Sequence, residues 1–248
     1  MDTASTRTPR PPVSVRTAAV WAVLRRELDR HAGRELTVLD VGGGTGGFAV
    51  PLAELGHTVT VVDASPDALA ALTRRAADAG VAGRVRAVQG DGDALSGLVE
   101  PGSVDLILCH AVLEVVDDPA EVVTAVTTAL RPGGALSLLV ASRAAAILAR
   151  AVNGHLGAAS ALLTDPDGRA GQRDNLRRRY DAESAAALLG AAGLTVEETH
   201  GVRVLTDLLP PAVVEGDPRT MLELELALAA RPPFRDIAAQ LHVFARRP

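Results

Sequence analysis

The sequence predicts an α/β fold, a three-layer sandwich in which helices cover both faces of a mostly parallel seven-stranded sheet with an antiparallel edge. Two observations support this prediction. Short apolar runs rich in β-branched residues alternate with stretches of helical periodicity as far as residue 141, which is typical of parallel sheets built from βαβ units. Two further strand-like runs come late in the chain, where an antiparallel edge commonly forms.

The first part of the chain supplies five strands and the helices between them. Apolar residues spaced by three and four predict an opening helix over about 14–31. Strands are expected at about 37–42, 57–63, 84–90, 104–109 and 135–141. The intervening helices are expected at about 46–55, 65–80 and 119–130, and a turn at 131–134. Ser65 followed by Pro66 marks a helix start, because serine caps a helix and proline fits its first turn.

The alternation breaks at residues 143–180, where an alanine-rich helix is followed by a polar segment. Ligands of open α/β sheets bind at the carboxyl ends of the strands, so we expect this stretch to be an insertion on the substrate side. Helices at about 181–192 and 220–230 and strands at 195–204 and 241–245 complete the fold. Residues 1–13 are rich in proline and polar residues and are expected to be disordered, with 14–248 forming a single domain.

Composition limits the class of protein. The 248 residues are 48% hydrophobic, with no apolar run long enough to span a membrane and no apolar leader at the N-terminus. Cys109 is the only cysteine, so we expect neither disulfides nor a thiolate metal cluster. The net charge of −5 argues against a general polyanion binder, although a local basic face is compatible with it. We therefore expect a cytoplasmic protein without a metal.

A glycine-rich turn follows the first strand. Gly42, Gly44 and Gly47 satisfy the pattern G-x-G-x-x-G between a strand and a helix, and Asp63 follows about 20 residues later. Such a turn lets the backbone approach a nucleotide-like ligand, and the acid suits a ribose. The pattern is typical of Rossmann-like folds and fits NAD equally well when taken alone. A purely structural interpretation is that the glycines only close a tight strand–helix junction.

Four further features accompany the turn. Asp40 directly precedes the glycines, Asp91, Gly92 and Asp93 follow the third strand, and His110 ends the fourth. The stretch 130–135 leads into the fifth strand. In this order the motifs resemble the class I S-adenosylmethionine-dependent methyltransferases, over residues 34–140.

That resemblance implies roles for individual residues. Gly42, Gly43 and Gly44, which Asp40 directly precedes, would pass the methionine part of S-adenosyl-L-methionine, and Asp63 would accept both ribose hydroxyls. The acidic residues after the third strand would border the adenine, their structural alternative being a helix cap at Asp91. These cofactor residues are Asp40, Gly42, Gly43, Gly44, Asp63, Asp91, Gly92 and Asp93.

Three stretches outside this core, at 110–119, 201–208 and 222–246, are similar to the bacterial tRNA 5-carboxymethoxyuridine methyltransferases. Arg16 and Trp21 also match the family's spacing, so the similarity runs from about residue 14 to the C-terminus. By this resemblance Arg16 would hold the carboxylate of the cofactor and His110 would line its pocket. The alternative for His110 is a loop histidine that bonds backbone groups, and Glu114 is expected to be a structural acceptor in the same loop.

Members of this family methylate a carboxylate on a modified wobble uridine. Methyl transfer from a sulfonium depends mainly on alignment, and a carboxylate is already ionised near neutral pH. We therefore expect no general base and identify no catalytic residue. Arg203 could clamp such an acceptor through two parallel hydrogen bonds, and its alternative role is a structural salt bridge.

The insertion offers a second set of candidate substrate contacts. Arg177, Arg178 and Arg179 could bind tRNA phosphates, but charge clusters more often form a solvated face. The chain has Val115, Val140, Ala141 and Ser142 where family members carry aromatic residues and an asparagine. Two acceptors therefore remain open, a tRNA carboxylate or a small molecule in an apolar pocket under the insertion. A third hypothesis, from another class, is an NAD-binding or non-catalytic Rossmann protein.

Overall fold

The computed structural model describes residues 14–91, 95–171 and 174–248 of the chain. The segment 1–13, for which the sequence predicts disorder, lies outside the described residues. The strands are β1 (Thr37–Val41), β2 (Thr58–Asp63), β3 (Val85–Gln89), β4 (Val104–His110), β5 (Leu130–Ala141), β6 (Thr195–Val202) and β7 (Gln240–Arg246). The helices are α1 (Ala18–Arg30), α2 (Ala49–Glu54), α3 (Pro66–Asp78), α4 (Leu95–Leu98), α5 (Pro119–Ala129), α6 (Arg143–Val152), α7 (Leu156–Thr164), α8 (Ala182–Ala191), α9 (Pro211–Gly216) and α10 (Pro218–Ala229).

The seven strands form one sheet in the order β3-β2-β1-β4-β5-β7-β6. The first five strands pair in parallel, and β7 runs antiparallel to both β5 and β6. The predicted mostly parallel sheet with an antiparallel edge is therefore confirmed. The chain order reverses between β1 and β4, so the carboxyl ends of these two strands flank the switch point where open α/β sheets bind ligands.

Each face of the sheet has its own apolar core. On one face, α1, α2 and α3 pack over residues such as Val38, Val59 and Leu106. On the other face, α5 and α8 pack over residues such as Leu39, Ile107 and Leu138. Because β4 contributes to both cores, six of its seven residues are buried. This explains why the central strands are continuous apolar runs.

Helix starts follow the local chemistry of capping. The Ser65 hydroxyl accepts the N–H of Ala68 at the start of α3, and Asp118 accepts two N–H groups at the start of α5. Asp181 and Ser184 form a reciprocal capping box at the start of α8. These side chains satisfy backbone donors that have no partner inside the helix.

The structure differs from the predicted elements in several places. The helix expected from about residue 46 begins only at Ala49, because Gly44 and Gly46 adopt positive φ angles of 53° and 80°. The turn expected at 131–134 is part of β5. The single alanine-rich helix is two helices, which separate at Gly154 with its φ of 78°. Helices α4 and α9 are too short, at four and six residues, to show a helical period.

The segment 143–180, which the sequence predicts to be an insertion, begins and ends beside the carboxyl end of β5. The N–H of Arg143 donates to the carbonyl of Tyr180 at 2.9 Å, and Tyr180 N–H donates to Ala141 at 2.9 Å. A bridge between Ser142 and Tyr180 ties the two ends together. Helices α6 and α7 therefore project from the edge of the sheet where β1 and β4 also end. None of the helices in the described ranges has the length and apolar character that crossing a membrane requires.

Candidate active site

The glycine turn crosses the switch point in close contact with the side chains around it. Gly42 has a φ of 67°, and a Cβ atom there would lie 2.5 Å from the Val112 side chain. A Cβ on Gly43 would lie 2.5 Å from the carboxyl group of Asp40 and 2.9 Å from Val61. Real Cβ atoms do not approach other atoms so closely, so a side chain at either position would displace its neighbours. The backbone of the turn is therefore exposed to whatever binds above it.

Asp63 at the end of β2 faces this turn. One carboxylate oxygen accepts the N–H of Gly44 at 2.8 Å and the other accepts the N–H of Ser65 at 2.9 Å. Each carboxylate oxygen can accept a second hydrogen bond, so two acceptor sites remain for a ligand. The side chain is held in one orientation with free acceptor capacity, which fits a pair of ribose hydroxyls.

Asp40 lies beneath the turn and is 2% exposed. Burial raises the pKa of its carboxyl group to about 7, and the nearby charge of Asp63 adds to the effect. A buried carboxyl group without a cation beside it favours its neutral form. Asp40 therefore supports the turn from below, at the edge of the candidate site.

His110 ends β4 and lies next to the turn. Its ring packs edge-on against Phe48 with centroids 4.8 Å apart, and Phe48 stacks on Trp21 at 5.3 Å. The Nε2 atom is hydrogen-bonded to the Ser137 hydroxyl at 2.9 Å. Burial lowers the pKa of His110 to about 3, so the ring is neutral. The next residue, Ala111, has a φ of 58°, which an L-residue seldom adopts and which functional sites often show.

The residues predicted to border an adenine are only partly described. Asp91 is exposed and lies two residues after the end of β3, at the same edge of the sheet as Asp63. Gly92 and Asp93 lie outside the described residues. A contact between Asp91 and an adenine stays a prediction.

A cleft of about 490 Å³ opens beyond the carboxyl end of β5. Its walls combine α6, the segment after β6 and the residues before β7, and include Leu148, Val152, Leu208 and Arg203. Neighbouring strands lie about 4.8 Å apart, so β4 and β5 separate this cleft from the glycine turn by roughly three strand spacings. It has the size and the mainly apolar lining of small-molecule sites.

Arg203 is one of three arginines on the wall of this cleft, and the other two, Arg150 and Arg179, both lie next to Asp174. Its φ of 59° is the second positive value at a non-glycine residue in the described chain. The Nε atom is buried without a partner among the described residues, while Nη1 lies 3.3 Å from Asp207. The wall of the cleft thus carries an arginine whose Nε–H has no partner among the described residues, in mainly apolar surroundings.

Glu225 of α10 fixes the segment that carries Arg203. Its buried carboxylate accepts the N–H groups of Val204, Leu205 and Thr206 at 2.7–2.9 Å and the Thr206 hydroxyl at 2.6 Å. Four hydrogen bonds to one carboxylate hold the loop in its strained conformation. Sequence reasoning missed this role, although the stretch that contains Glu225 is one of those that carry the family resemblance.

Arg16 does not contact the glycine turn in the structure. It lies in the short 3₁₀ turn Val15–Thr17, is largely exposed, and its Nη2 atom lies 3.6 Å from Asp207. Asp207 therefore pairs with both Arg16 and Arg203, two residues to which the sequence assigned different ligands. Asp207 is a further residue that sequence reasoning did not assign.

The three insertion arginines contact different partners within the chain. Arg177 pairs with Asp117 and is half exposed, whereas Arg178 donates to the carbonyls of Val116 and Asp117. Arg179 is buried, and its guanidinium donates two hydrogen bonds to Asp174. These hydrogen bonds lower the pKa of Asp174 well below its ordinary range. Arg178 and Arg179 thus hold the loop together, and Arg177 retains the most exposed guanidinium of the three.

Glu114 has the structural role that the sequence predicts. Its carboxylate accepts the N–H of Ala141 at 2.7 Å, and its backbone carbonyl accepts the N–H groups of Arg177 and Arg178. The side chain is buried, which raises its pKa. Glu114 joins the loop after β4 to the start and the end of the insertion. Within the described ranges, no group of three or more potential ligand side chains is arranged to hold a metal ion.

Ser137, His242 and His200 form a further cluster that sequence reasoning missed. Ser137 bridges His110 to His242 of β7, and the ring of His200 of β6 lies 6.2 Å from that of His242. All three lie in the antiparallel edge or beside it. A histidine in the middle of an apolar strand is unusual, so the sequence does draw attention to His242. That His242 lies next to Ser137 and His200 follows only from the pairing of β5, β6 and β7.

Comparisons with known proteins identify the family. A family profile described as a methyltransferase domain matches residues 39–138. The tRNA 5-carboxymethoxyuridine methyltransferase of Escherichia coli K12 is 33% identical over 236 residues, covering 94% of this chain and 88% of that protein. A ubiquinone biosynthesis O-methyltransferase of Xanthomonas euvesicatoria is 34% identical over 165 residues, covering 66% of this chain and 65% of that protein.

A solved S-adenosylmethionine-dependent methyltransferase from Mesorhizobium loti has the same fold. Its TM-score is 0.61 at 21% sequence identity, with 94% of this chain and all of that chain covered. The hypothesis of an NAD-binding or non-catalytic Rossmann protein does not agree with these findings. The chain belongs to the S-adenosylmethionine-dependent methyltransferases, and 94% of its length aligns with a tRNA 5-carboxymethoxyuridine methyltransferase.

Proposed function

We propose that this chain transfers the methyl group of S-adenosyl-L-methionine to a carboxylate oxygen, and that the acceptor is 5-carboxymethoxyuridine in tRNA. The observation that carries the proposal is Arg203, whose Nε–H has no partner among the described residues, on the wall of an apolar cleft at the same edge of the sheet as the glycine turn. The choice of tRNA rests on the likeness to the E. coli tRNA methyltransferase over 94% of the chain.

The cofactor fits the residues at the switch point. Asp63 is oriented by two backbone N–H groups and keeps acceptor sites for two ribose hydroxyls. The turn at Gly42, Gly43 and Gly44 brings backbone close to the ligand, and Asp40 supports it from below. When bound, S-adenosylmethionine supplies a methyl group on a sulfonium centre. We propose further contacts with the cofactor at the rim of this site, made by Arg16, Asp91, Gly92, Asp93 and His110.

The protein's own contribution to the reaction is alignment. A carboxylate acceptor is ionised at neutral pH and needs no base to remove a proton. Arg203 would bind it through two parallel hydrogen bonds in a site from which apolar side chains exclude water. The Nε–H of Arg203, which has no partner in the described structure, is the donor that a bidentate pair would use. Because the acceptor has no proton to lose, the reaction needs no general base, and we assign no catalytic residue.

A small-molecule acceptor is the second candidate. The cleft of about 490 Å³ is bordered by Leu148, Val152 and Leu208, which suits a compact apolar molecule bearing one carboxylate. The insertion 143–180, which we propose to be a substrate-side part of a single domain 14–248, would cover it. Arg177 and Arg179 of this segment are paired with Asp117 and Asp174, which leaves these two cations less available to a polyanion. A cytoplasmic location stays a prediction for either acceptor.

The cofactor assignment is tested by calorimetry. S-adenosylhomocysteine is expected to bind the purified chain with saturable heat, whereas NADH is not expected to compete with it. Tighter binding of NADH than of S-adenosylhomocysteine would contradict the assignment. The measurement needs no knowledge of the methyl acceptor.

The acceptor assignment is tested by mass spectrometry of tRNA nucleosides. The purified chain and S-adenosylmethionine are incubated with tRNA that carries free 5-carboxymethoxyuridine. The expected product is the methyl ester of that nucleoside. If the nucleoside is unchanged while a small carboxylic acid is methylated, the second candidate replaces the first.

Arg177 provides a matched test of polyanion binding. Its guanidinium is half exposed. If it contacts a phosphate of the tRNA, its replacement by alanine should reduce the slope of log affinity against log salt concentration by about one. Arg219→Ala is the control, because Arg219 is an exposed arginine on α10 that pairs with Glu223. If the slope of log affinity against log salt concentration is the same for both variants and the parent chain, Arg177 does not contact the tRNA.

A further inference from the structure

Arg150 of α6 carries a positive charge on the wall of the cleft that also holds Arg203. Its side chain is 28% exposed. Nη1 of Arg150 donates a long hydrogen bond, at 3.4 Å, to the carbonyl of Ala146 in the preceding turn of the helix. The described residues accept no other hydrogen bond from this guanidinium, which has several further N–H groups. Most of the donors of Arg150 are therefore available to a ligand.

The carboxylate nearest to Arg150 already has its full number of hydrogen bonds. Oδ1 of Asp174 accepts the N–H of Leu176 at 3.2 Å and Nη2 of Arg179 at 2.9 Å. Oδ2 accepts the N–H of Ala170 at 2.7 Å and Nη1 of Arg179 at 2.5 Å. Each carboxylate oxygen has two lone pairs, so these bonds use all of them. Nη2 of Arg150 stays 3.9 Å from Oδ2, which is beyond hydrogen-bonding distance.

The charges on the wall of the cleft are therefore unequally paired. Arg179 is paired with Asp174, and Arg203 is paired with Asp207. Arg150, the third arginine of the wall, has no carboxylate within hydrogen-bonding distance in the described parts of the chain. An arginine in mainly apolar surroundings binds an anionic group through charge-assisted hydrogen bonds. Arg150 is thus the cation of this cleft that an added anion can pair with at the least cost to existing contacts.

Arg150 and Arg203 border the same ligand space. The carbonyl of Arg203 accepts the N–H of Ala239 at 3.3 Å, and the carbonyl of Ala239 accepts the N–H of Ser142 at 3.1 Å. Arg203 therefore lies beside the start of α6, and the bond to Ala146 directs the side chain of Arg150 back toward that end. A cleft of about 490 Å³ has the volume of a site for one small ligand or one ligand group. A molecule held by Arg203 would fill the space that Arg150 also borders.

We propose that the methyl acceptor carries a second acidic group, and that Arg150 binds this group while Arg203 binds the carboxylate that receives the methyl group. This inference rests on the proposed function, because it takes the cleft as the acceptor site. The second group is a phosphate or a carboxylate, since both present the paired oxygens that a guanidinium binds. In tRNA it is a phosphate next to the modified nucleoside, and in a small molecule it is a second carboxylate. Arg150 thereby sets a specificity for acceptors with two acidic groups.

Inorganic phosphate tests the anion site without any methyl acceptor. It is titrated into the full-length protein at constant ionic strength, and ¹⁵N NMR follows the Nε–H signals of the arginine side chains. The signal that is missing from Arg150→Gln belongs to Arg150. We expect this signal to shift to saturation with phosphate in the parent chain and also in Arg203→Gln, which lacks the proposed acceptor contact.

Arg219 provides the control for the phosphate titration, because it is an exposed arginine that pairs with Glu223 on α10. Its signal, identified from Arg219→Gln in the same way, should show no saturable shift. If the signal of Arg150 does not respond, or responds no more than that of Arg219, the proposal is wrong.

Methyl transfer to two matched pairs of acceptors then tests the specificity and distinguishes the two acidic groups. The first pair is an anticodon stem–loop with 5-carboxymethoxyuridine, and the same RNA with neutral methylphosphonates on both sides of that nucleoside. The second pair is adipic acid and its monoamide. In the parent chain, kcat/KM should be about tenfold higher for the fully acidic member of the pair that is methylated. In Arg150→Gln the two members of that pair should be methylated about equally, because the group that binds the second anion is gone.

The pair that shows the preference identifies the second group as a phosphate or a carboxylate. Arg219→Gln should keep the same ratio of kcat/KM values as the parent chain. A parent chain without a preference, or a preference that persists in Arg150→Gln, would overturn the specificity. Methylation of neither pair would contradict the proposed function and with it the acceptor role of Arg150, whereas the phosphate titration would still decide whether Arg150 binds an anion.

Discussion

The carboxyl group of Asp40 occupies the space that a side chain on residue 43 would need. A Cβ atom placed on Gly43 would lie 2.5 Å from both Cγ and Oδ2 of Asp40. The acid near the end of the first strand and the glycine that follows it therefore form one packing unit. The path of the turn, and with it the position of the backbone that faces the ligand, depends on this contact.

The first prediction concerns Gly43→Ala. The added methyl group would overlap Asp40 and Val61, and overpacking of this kind costs roughly 1–3 kcal/mol of unfolding free energy. The distorted turn should also bind S-adenosylhomocysteine at least about tenfold more weakly. Gly47→Ala is the control, since a Cβ there meets no atom within 4 Å. Urea unfolding and calorimetry measure both effects, and a Gly43→Ala variant that matches the control would refute the packing argument.

Asp63→Asn is the second prediction. The substitution keeps the shape of the side chain but replaces one acceptor oxygen by an N–H₂ donor, which would face either a backbone N–H or a ribose hydroxyl. A hydrogen bond to a charged group contributes about 1.5–3 kcal/mol, so affinity for S-adenosylhomocysteine should fall by roughly tenfold or more. Asp67→Asn on the exposed first turn of α3 serves as the control. Undiminished affinity would mean that Asp63 only supports the turn.

Much of the fold could be predicted from the sequence because its central strands are buried on both faces. Strand β4 is a continuous apolar run, and the spacing between such runs is filled by helical periodicity. What could not be predicted are elements set by backbone conformation or by short length. Gly44 and Gly46 delay the start of α2, and Gly154 separates α6 from α7.

The candidate site could be predicted where one local segment carries the signal. Two neighbouring parallel strands, β1 and β2, and the turn after β1 carry Asp40, Gly43 and Asp63. Because the two strands pair directly, these three residues lie close together. Contacts between distant segments could not be foreseen. Ser137 meets His242 across 105 residues of sequence, and Asp207 meets Arg16 across most of the chain. Such pairs depend on the antiparallel register and on loop paths, which periodicity does not encode.

Arg203 gives the third prediction, in which stability and function respond differently. Its φ of 59° costs an L-residue about 1–2 kcal/mol, and glycine removes that cost. Arg203→Gly should therefore be about 1 kcal/mol more stable than Arg203→Ala, because both variants lose the same contact with Asp207. Methyl transfer to the carboxylate acceptor should be slowed equally in both. If the glycine variant is no more stable than the alanine variant, the residue is not strained.

Arg203→Lys separates charge from geometry at the same position. Lysine keeps one positive charge but cannot form two parallel hydrogen bonds with a carboxylate. We expect the KM for the acceptor to rise while binding of S-adenosylhomocysteine stays unchanged. Full activity in this variant would show that the charge alone suffices.

The last prediction follows from the pKa of Asp40, which burial and the charge of Asp63 raise to about 7 from an ordinary value near 3.8. Between these two pH values the folded protein binds a proton that the unfolded chain does not. The stability that this group contributes is therefore fully present below about pH 4 and is lost as the pH rises through 7. An asparagine side chain at this position would have no such proton to lose.

Asp40→Asn should accordingly gain stability relative to the parent chain as the pH rises from 4 to 8, by up to about 4 kcal/mol. Urea unfolding of both proteins across this range measures the difference, in which the titration of all other groups largely cancels. In a second pair, Asp63→Asn with and without Asp40→Asn, the gain should be smaller, because the charge that helps to raise the pKa of Asp40 is gone. A difference that does not change with pH would show that Asp40 is ionised throughout, and the turn would then rest on a buried charge.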